Sequence, residues 1–392
     1  MIWLLERIFG RIPLGWLQLV NRKGRFVSAV IGVGFAVTLV LFQLGFIGAL
    51  SGSVTLPYQS MRADIILSGP DARTLTDGTA IPRQRVYEAL SVPNVDSASP
   101  IFIGTARHEV PNGRDASFRV FGVDPTTMAD FWSPEIAAFA PVLEITRTGV
   151  IDRASRSIPA EFLHNIGVGH PKLLDLNGIA TGLIGSFEIG AGFDADGYIF
   201  VSLRTFFQIF PEQSNATPAH VFVRIEEGAD VTTVAAQIAQ QFDPKETLTR
   251  TLEAAIEDEV RVQTVEAPIG IIFGFGALMG VFVGSVIVYQ VLSTEVTDHI
   301  KEYATLKAVG YRNRFFSGVI LEQAAILGLA GFVPGALLAN MLYGMISGAT
   351  GLPMVMDRDR LAFVLFGTLL ACGLSGLMAA RRLSSAQPAE LY

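Results

Sequence analysis

The spacing with the clearest chemical content in this chain is Asp194-Ala195-Asp196, within Gly192–Gly197, where two carboxylates one residue apart could open a calcium loop. Such a loop would continue with a third oxygen ligand, a glycine at its sixth position and a distal Glu, and this stretch does not. Its composition reads instead as a tight turn. The five histidines, His108, His164, His170, His220 and His299, are scattered, with no His-x-x-x-His pair and no cysteine partner, so their spacing outlines no zinc site. No Gly-x-x-x-x-Gly-Lys-[Ser/Thr] is present to cradle nucleotide phosphates, and no Gly-x-Ser-x-Gly to raise a nucleophilic serine. The residues thus give no catalytic set, no cofactor site and no metal site. Function has to be sought in the elements themselves.

Four long uncharged apolar stretches dominate those elements: Phe26–Leu50, Ala267–Leu292, Gln323–Ile346 and Leu361–Ala380. A bilayer core of about 30 Å needs about 20 helical residues, and each stretch supplies that. The chain is 50% hydrophobic and 17% charged, with a mean hydropathy of +0.45. The expected fold is an α-helical membrane protein with four transmembrane helices and a large extracytoplasmic α+β domain. Its expected segments are a leader (1–25), a first span (26–50), the inserted domain (51–266), a second span (267–292), a loop (293–316), a third span (317–346), a short turn (347–360), a fourth span (361–380) and a tail (381–392). The first apolar run is too long for the core of a cleaved signal peptide and reads as an anchor.

Charge orients these spans. Arg7, Arg11, Arg22, Lys23 and Arg25 precede the first, and the next basic residue is Arg62. Lys301, Lys307, Arg312 and Arg314 lie between the second and third, and Arg381 and Arg382 follow the fourth. The positive-inside bias therefore puts both termini and the 293–316 loop in the cytoplasm and the insert outside. Residues 51–265 carry 16 Lys and Arg against 27 Asp and Glu, and the rest of the chain 13 against 9. An acidic insert speaks against nucleic acid as a partner. The lone Cys372 lies in the fourth span, so the insert has no disulfide and must rely on its own core.

The leader Met1–Asn21 mixes Ile2, Leu4, Leu5, Ile8, Phe9, Ile12, Leu17 and Leu19 with Arg7, Arg11, Trp3 and Trp16. This suits a helix at the membrane surface, bent near Pro13, or a simple continuation of the anchor. In the insert, Ala63–Ser68, Val95–Arg107, Ser117–Val123 and His220–Ile225 read as strands, and Pro82–Leu90 and Val231–Phe242 as helices. Together they suggest one α/β layer built from both ends of the insert. Val150–Ser202, with turns such as Leu176-Asn177-Gly178, reads as a β-rich inner lobe. Glu246–Glu266 reads as a helical stalk leading into the second span.

Within the spans, Gly270, Gly274, Gly276, Gly280 and Gly284, and likewise Gly331 and Gly335 around Pro334, give small-xxx-small spacings that let helix backbones approach. Packing within one chain and pairing of two copies are both open on this pattern. Glu322, two turns into the third span, is expected to snorkel to the interface or to pair with Arg312 or Arg314.

The strongest local signal is Ser293–Arg314. Thr294–Val309 is predicted helical, straight or broken, with Lys307 in its last turn and Gly310 as its C′ residue. Tyr303, Leu306 and Val309 recur at helical spacing, and Glu302 and Lys307 add charge. Such a face is too apolar for a solvated connector, and fits either a groove on a soluble partner or the chain's own span ends.

Glu302-Tyr303-Ala304-Thr305-Leu306-Lys307-Ala308-Val309-Gly310 resembles the E-I-G-x-x-[R/K]-A-x-G signature of the FtsX/MacB-type ABC transporter permeases. Arg381-Arg382 followed by Gln387-Pro388-Ala389-Glu390-Leu391 resembles the family's closing pattern. Pro13-Leu14-Gly15-Trp16-Leu17-Gln18-Leu19, Asp298-His299 and Phe332-Val333-Pro334-Gly335 are similar to the DevC branch, while Tyr303 and Ala304 replace the commoner Ile-Gly. The resemblance implies a non-catalytic, homodimeric permease of the bacterial inner membrane whose Glu302–Gly310 segment couples to a separate ABC ATPase, which binds the ATP and Mg. It implies a MacB-like periplasmic domain with two lobes, moved by mechanotransmission. It also implies a periplasmic adaptor (membrane fusion protein), a TolC-like outer-membrane duct and lipid or glycolipid cargo. FtsX-like signalling to a periplasmic partner and lipoprotein release share this architecture.

Overall fold

The computed structural model describes residues 14–110, 114–156, 158–163, 166–193, 195–350 and 352–385. The leader through Pro13, Asp194 of the Asp-x-Asp turn and the tail from Gln387 lie outside the described residues. Contacts divide the chain into two units, one of residues 1–49, 268–350 and 354–392, the other of residues 50–267 with 351–353.

The first unit is helical. Helix α1 (Leu14–Asn21) is followed by α2 (Lys23–Gln59). Four helices are long and apolar enough to cross a membrane: α2, α7 (Pro268–Asp298), α9 (Asn313–Thr350) and α10 (Arg358–Ser385). They carry the four apolar stretches of the sequence. Their shared core contains Val33, Val37, Leu41, Val288, Leu292, Ile320, Leu327 and Cys372.

Several of these glycines lie in close contact within the chain. A Cβ at Gly276, Gly280 or Gly284 of α7 would collide with Gln43, Val40 or Ala36 of α2. The contacts step backward along α2, as an antiparallel crossing requires. A Cβ at Gly331 or Gly335 of α9 would meet Val33 or the Gly34 carbonyl of α2. Thr38 Oγ1 fixes that second crossing by donating to Gly34 O at 2.8 Å and to Gly335 O at 3.0 Å. Gly274 has nothing within 4 Å.

The second unit is built on one nine-stranded sheet. Its strands are β1 (Ile65–Ser68), β2 (Val95–Val110), β3 (Arg114–Val123), β4 (Thr148–Asp152), β5 (Lys172–Leu176), β6 (Ile179–Phe187), β7 (Gly197–Ser202), β8 (His220–Ile225) and β9 (Leu248–Thr251), in the order β5-β6-β4-β7-β3-β2-β8-β1-β9. In β1, Ile65 and Leu67 face the cluster of Val221, Val223, Val234 and Ile238, and Ile66 faces that of Phe121, Trp132, Phe200 and Phe222. The period of two in the chain thus fills a core on both faces. Helices α3 (Arg85–Leu90) and α5 (Val231–Gln240) cover the first face with Val86, Ala89, Val234 and Ile238. Asp230 caps α5 by accepting the Thr233 N–H at 2.8 Å.

The expected inner lobe is the β4–β7 half of the sheet, followed by α4 (Leu203–Ile209). Asn177 and Gly178 both have positive φ, 52° and 84°, as a two-residue β5–β6 hairpin requires. The two lobes are not separate sheets. The 16-residue β2 pairs with β8 through its first half and with β3 through its second, so one ladder runs through both.

The expected helical stalk over Glu246–Glu266 is corrected. Leu248–Thr251 is the edge strand β9, paired antiparallel with β1 from Ser68↔Leu248 to Ile65↔Thr251. Helix begins only at α6 (Leu252–Arg261), where Thr251 Oγ1 accepts the Ala254 N–H, and a π-helical turn covers Val262–Glu266. Ala267 then takes extended angles (φ −68°, ψ 143°) before Pro268. A residue preceding proline is pushed out of the α region, so stalk and span are interrupted here.

Candidate functional site at the loop between the second and third spans

Among the described residues no three His, Cys, Asp or Glu side chains converge on a metal site. The site of interest is the segment carrying the coupling signature. Helix α7 ends at Asp298, His299 leaves helical geometry (φ −97°, ψ 10°), and α8 (Ile300–Ala308) restarts in the same ladder, with Tyr303 N–H bonding His299 O. The segment is therefore a broken helix. Acidic and basic side chains brace the break. His299 Nε2 lies 3.1 Å from Glu295 Oε1 and its Nδ1 2.9 Å from Glu302 Oε2. Arg25 approaches Glu295 at 3.5 Å, and both Arg22 and Arg25 pair with Asp298.

Helix α8 closes with a Schellman motif. Gly310 N–H bonds Lys307 O and Tyr311 N–H bonds Leu306 O, both at 3.1 Å, and Gly310 adopts φ 108°. Only glycine enters that region without a Cβ clash, which explains its place at C′.

The two faces of α8 differ sharply. Val309 is 74% exposed and Tyr311 46%. Lys301, Glu302 and Thr305 are also exposed, and Leu306 and Lys307 are half-buried. Tyr303, expected on the outward face with Leu306 and Val309, is instead 3% exposed and points into its own chain. Its ring packs edge-on against Phe316 of α9, with centroids 5.5 Å apart. Its hydroxyl donates to Gln18 Oε1 of α1 at 3.1 Å. Burial, with Glu295 and Glu302 adding to it and the Gln18 bond opposing, pushes the phenol up to about 12, so it stays a neutral donor.

Glu322 also departs from expectation. It is 2% exposed, and Oε1 accepts the Trp16 backbone N–H at 3.3 Å instead of reaching the interface. Its neighbour Gln323, fully buried, donates from Nε2 to Gln18 Oε1 at 2.9 Å. Gln18 and Gln323 were not among the candidates read from the sequence. The Pro13–Leu19 resemblance was the signal that pointed to the first of them.

The family models decide what this arrangement belongs to. Residues 26–241 match the MacB-like periplasmic core domain, and residues 274–388 match the FtsX-like permease C-terminal domain. The chain belongs to the FtsX/MacB-type ABC transporter permeases. Permeases of this family are non-catalytic membrane subunits that work with an ABC ATPase. The loop carrying α8 lies inside the FtsX-like match, and all of β1–β8 lies inside the MacB-like one.

Among the solved structures to which part of this chain is similar are two extramembrane domains of transporters. One is the extracellular domain of the noncanonic ABC-type transporter YknZ from Gram-positive bacteria, at 12% identity and a TM-score of 0.35, covering 48% of this chain and 99% of that one. The other is the periplasmic region of MacB from Actinobacillus actinomycetemcomitans, at 10% identity and a TM-score of 0.36, covering 50% of this chain and 91% of that one. Comparison with curated proteins gives no match.

Proposed function

We infer that this FtsX/MacB-type permease is the membrane subunit of a DevC-like exporter. Two copies of the chain are served by a separate ABC ATPase that docks on α8 from the cytoplasm. ATP-driven closure is passed to the large domain of residues 51–266, outside the membrane. Its movement drives lipid or glycolipid-like cargo onward through a periplasmic adaptor and a TolC-like duct. Glu302, Leu306, Lys307 and Val309 form the contact, Gly310 ends it, and Tyr303 supports it from behind.

The observation that carries this reading is the exposure of Val309 beside the buried Tyr303. A short helix sealed on one side, with an exposed valine among charged residues on the other, is suited to a groove on a soluble partner. Val309→Asp tests it. A charge forced into an apolar contact without a partner costs several kcal/mol, and at about 1.4 kcal/mol per decade the affinity for the ATPase falls about a hundredfold or more. Folding is unaffected, because the position is exposed in the permease alone. Co-purification of the ATPase, with monodispersity as the control, measures the effect. A monodisperse variant that retains its ATPase at wild-type level would reduce α8 to a connector.

A further inference from the structure

The Pro13–Leu19 segment has no role in docking, yet its described residues are held with unusual economy. Gly15 lies so close to α9 that a Cβ there would come within 3.0 Å of Val319 O and 3.1 Å of Gln323 Cγ. The Trp16 N–H is taken by Glu322, Trp16 packs edge-on against Phe26, and Leu19 is buried in the core between the helices of this unit. Between these contacts Gln18 presents a single oxygen to two donors, the Tyr303 hydroxyl of α8 and the Gln323 amide of α9. Gln323 Oε1 is itself buried without a hydrogen-bond partner, so the Gln18 bond is that amide's polar contact.

We propose that Gln18 is a positioning residue for coupling, its one carbonyl locking α1, α8 and the first turns of α9 into a single body. This rests on the docking of an ATPase at α8. A push on Val309 and Leu306 then cannot move α8 alone. It displaces α1 and, through Asn21 and Arg22, the start of the 37-residue α2, together with α9. The hydroxyl that Tyr303 brings, where Ile is commoner, is the group that makes this lock. Coupling of this kind travels through a contiguous hydrogen-bonded path with a specific broken state, in which α8 moves and α1 stays.

Gln18→Leu keeps the side-chain volume and removes the shared acceptor, Tyr303→Phe removes one donor, and Gln18→Glu keeps an oxygen for both. The first measurement needs no ATPase. Hydrogen exchange of the α8 amides in the detergent-solubilised chain is expected to rise about tenfold in Gln18→Leu and in Tyr303→Phe, and to stay near wild type in Gln18→Glu. The second uses the co-purifying ABC ATPase. Its affinity is expected to stay within about twofold while its permease-stimulated turnover falls about tenfold, and the Gln18→Leu/Tyr303→Phe double variant to be no worse than either single. Unchanged α8 exchange in Gln18→Leu overturns the lock. So do additive losses, or a loss of affinity that matches the loss of turnover, because either would make Gln18 part of the fold alone. Should the exchange rise as expected while no ATPase engages the wild-type chain, the lock stands and the docking function falls.

Discussion

Glu322 Oε1 lies 3.3 Å from the backbone nitrogen of Trp16, so a carboxylate carried by the third span closes the first turn of α1. The first turn of any helix has N–H groups without intrahelical acceptors, and the helix dipole favours a negative charge there. The buried acid thereby supplies one of those N–H groups with an acceptor.

Glu322→Leu should therefore release α1 before it disturbs the spans. Loss of an acceptor from a buried N–H costs about 1–3 kcal/mol. The expected result is faster tryptic cleavage at Arg22 and Lys23 in the solubilised chain, with Glu322→Gln intermediate. Equal cleavage rates in all three proteins would refute the capping role.

The span glycines make a paired test. Gly335→Val drives a side chain into the Gly34 carbonyl, a backbone atom that cannot swing aside. Overpacking of this kind costs about 1–3 kcal/mol, read as a lowered midpoint of thermal unfolding in detergent. Gly274→Ala, with open space around it, should be neutral within about 0.5 kcal/mol. If Gly274→Ala lowers the midpoint or alters the oligomeric state by light scattering, that glycine packs against a second copy.

His220 supplies a pH dependence. It is fully buried between β1 and the loop after it, with Nδ1 2.9 Å from Ser68 Oγ and Nε2 donating to Leu75 O at 2.8 Å. Burial above all holds its pKa down at about 4, against 6.5 in the open. The unfolded chain therefore takes up a proton below pH 6.5 that the folded chain refuses. Stability is full above 6.5 and falls as the pH drops toward 4, by roughly 3 kcal/mol in all. His220→Gln can still donate to Leu75 O and accept from Ser68, but does not titrate. Unfolding of the whole chain at pH 7 and pH 5 should show a smaller difference for this variant than for wild type.

Orientation is testable with single cysteines in a Cys372→Ser background. Tyr87 is 68% exposed on α3 and Tyr311 46% exposed just after α8. In intact cells a membrane-impermeant maleimide should label Tyr87→Cys and spare Tyr311→Cys until the membrane is opened. The reverse pattern would invert the topology inferred from Lys and Arg.

What was legible in the sequence was whatever depended on period and length. The four spans, the strand His220–Ile225 and the Asn177-Gly178 hairpin all follow from local pattern. Leu248–Thr251 was missed because a four-residue edge strand next to an amphipathic helix has no period of its own. Its extended form comes from pairing with Ser68–Ile65, some 180 residues earlier in the chain. At the site, helical spacing placed Tyr303, Leu306 and Val309 near one another but could not say which face the chain itself would cover. That was decided by Gln18 and Phe316, one on another helix and one beyond the loop. Glu322 was misread for the same reason. One of its partners is a backbone N–H, which no residue type announces.

The position of β1 has a consequence for how the protein is made. Its two neighbours, β8 and β9, begin at His220 and Leu248, while β1 itself ends at Ser68. As the chain leaves the ribosome, β1 waits through more than a hundred residues with both of its edges bare, and the first half of β2 waits for the same β8. Contacts so distant in sequence form slowly. The β2–β7 half can pair first, since its strands are all synthesised before residue 203. A chain cut short before His220 would thus hold the inner-lobe strands beside the unpaired edges of β1 and the first half of β2, the kind of surface that promotes aggregation and marks a product for destruction.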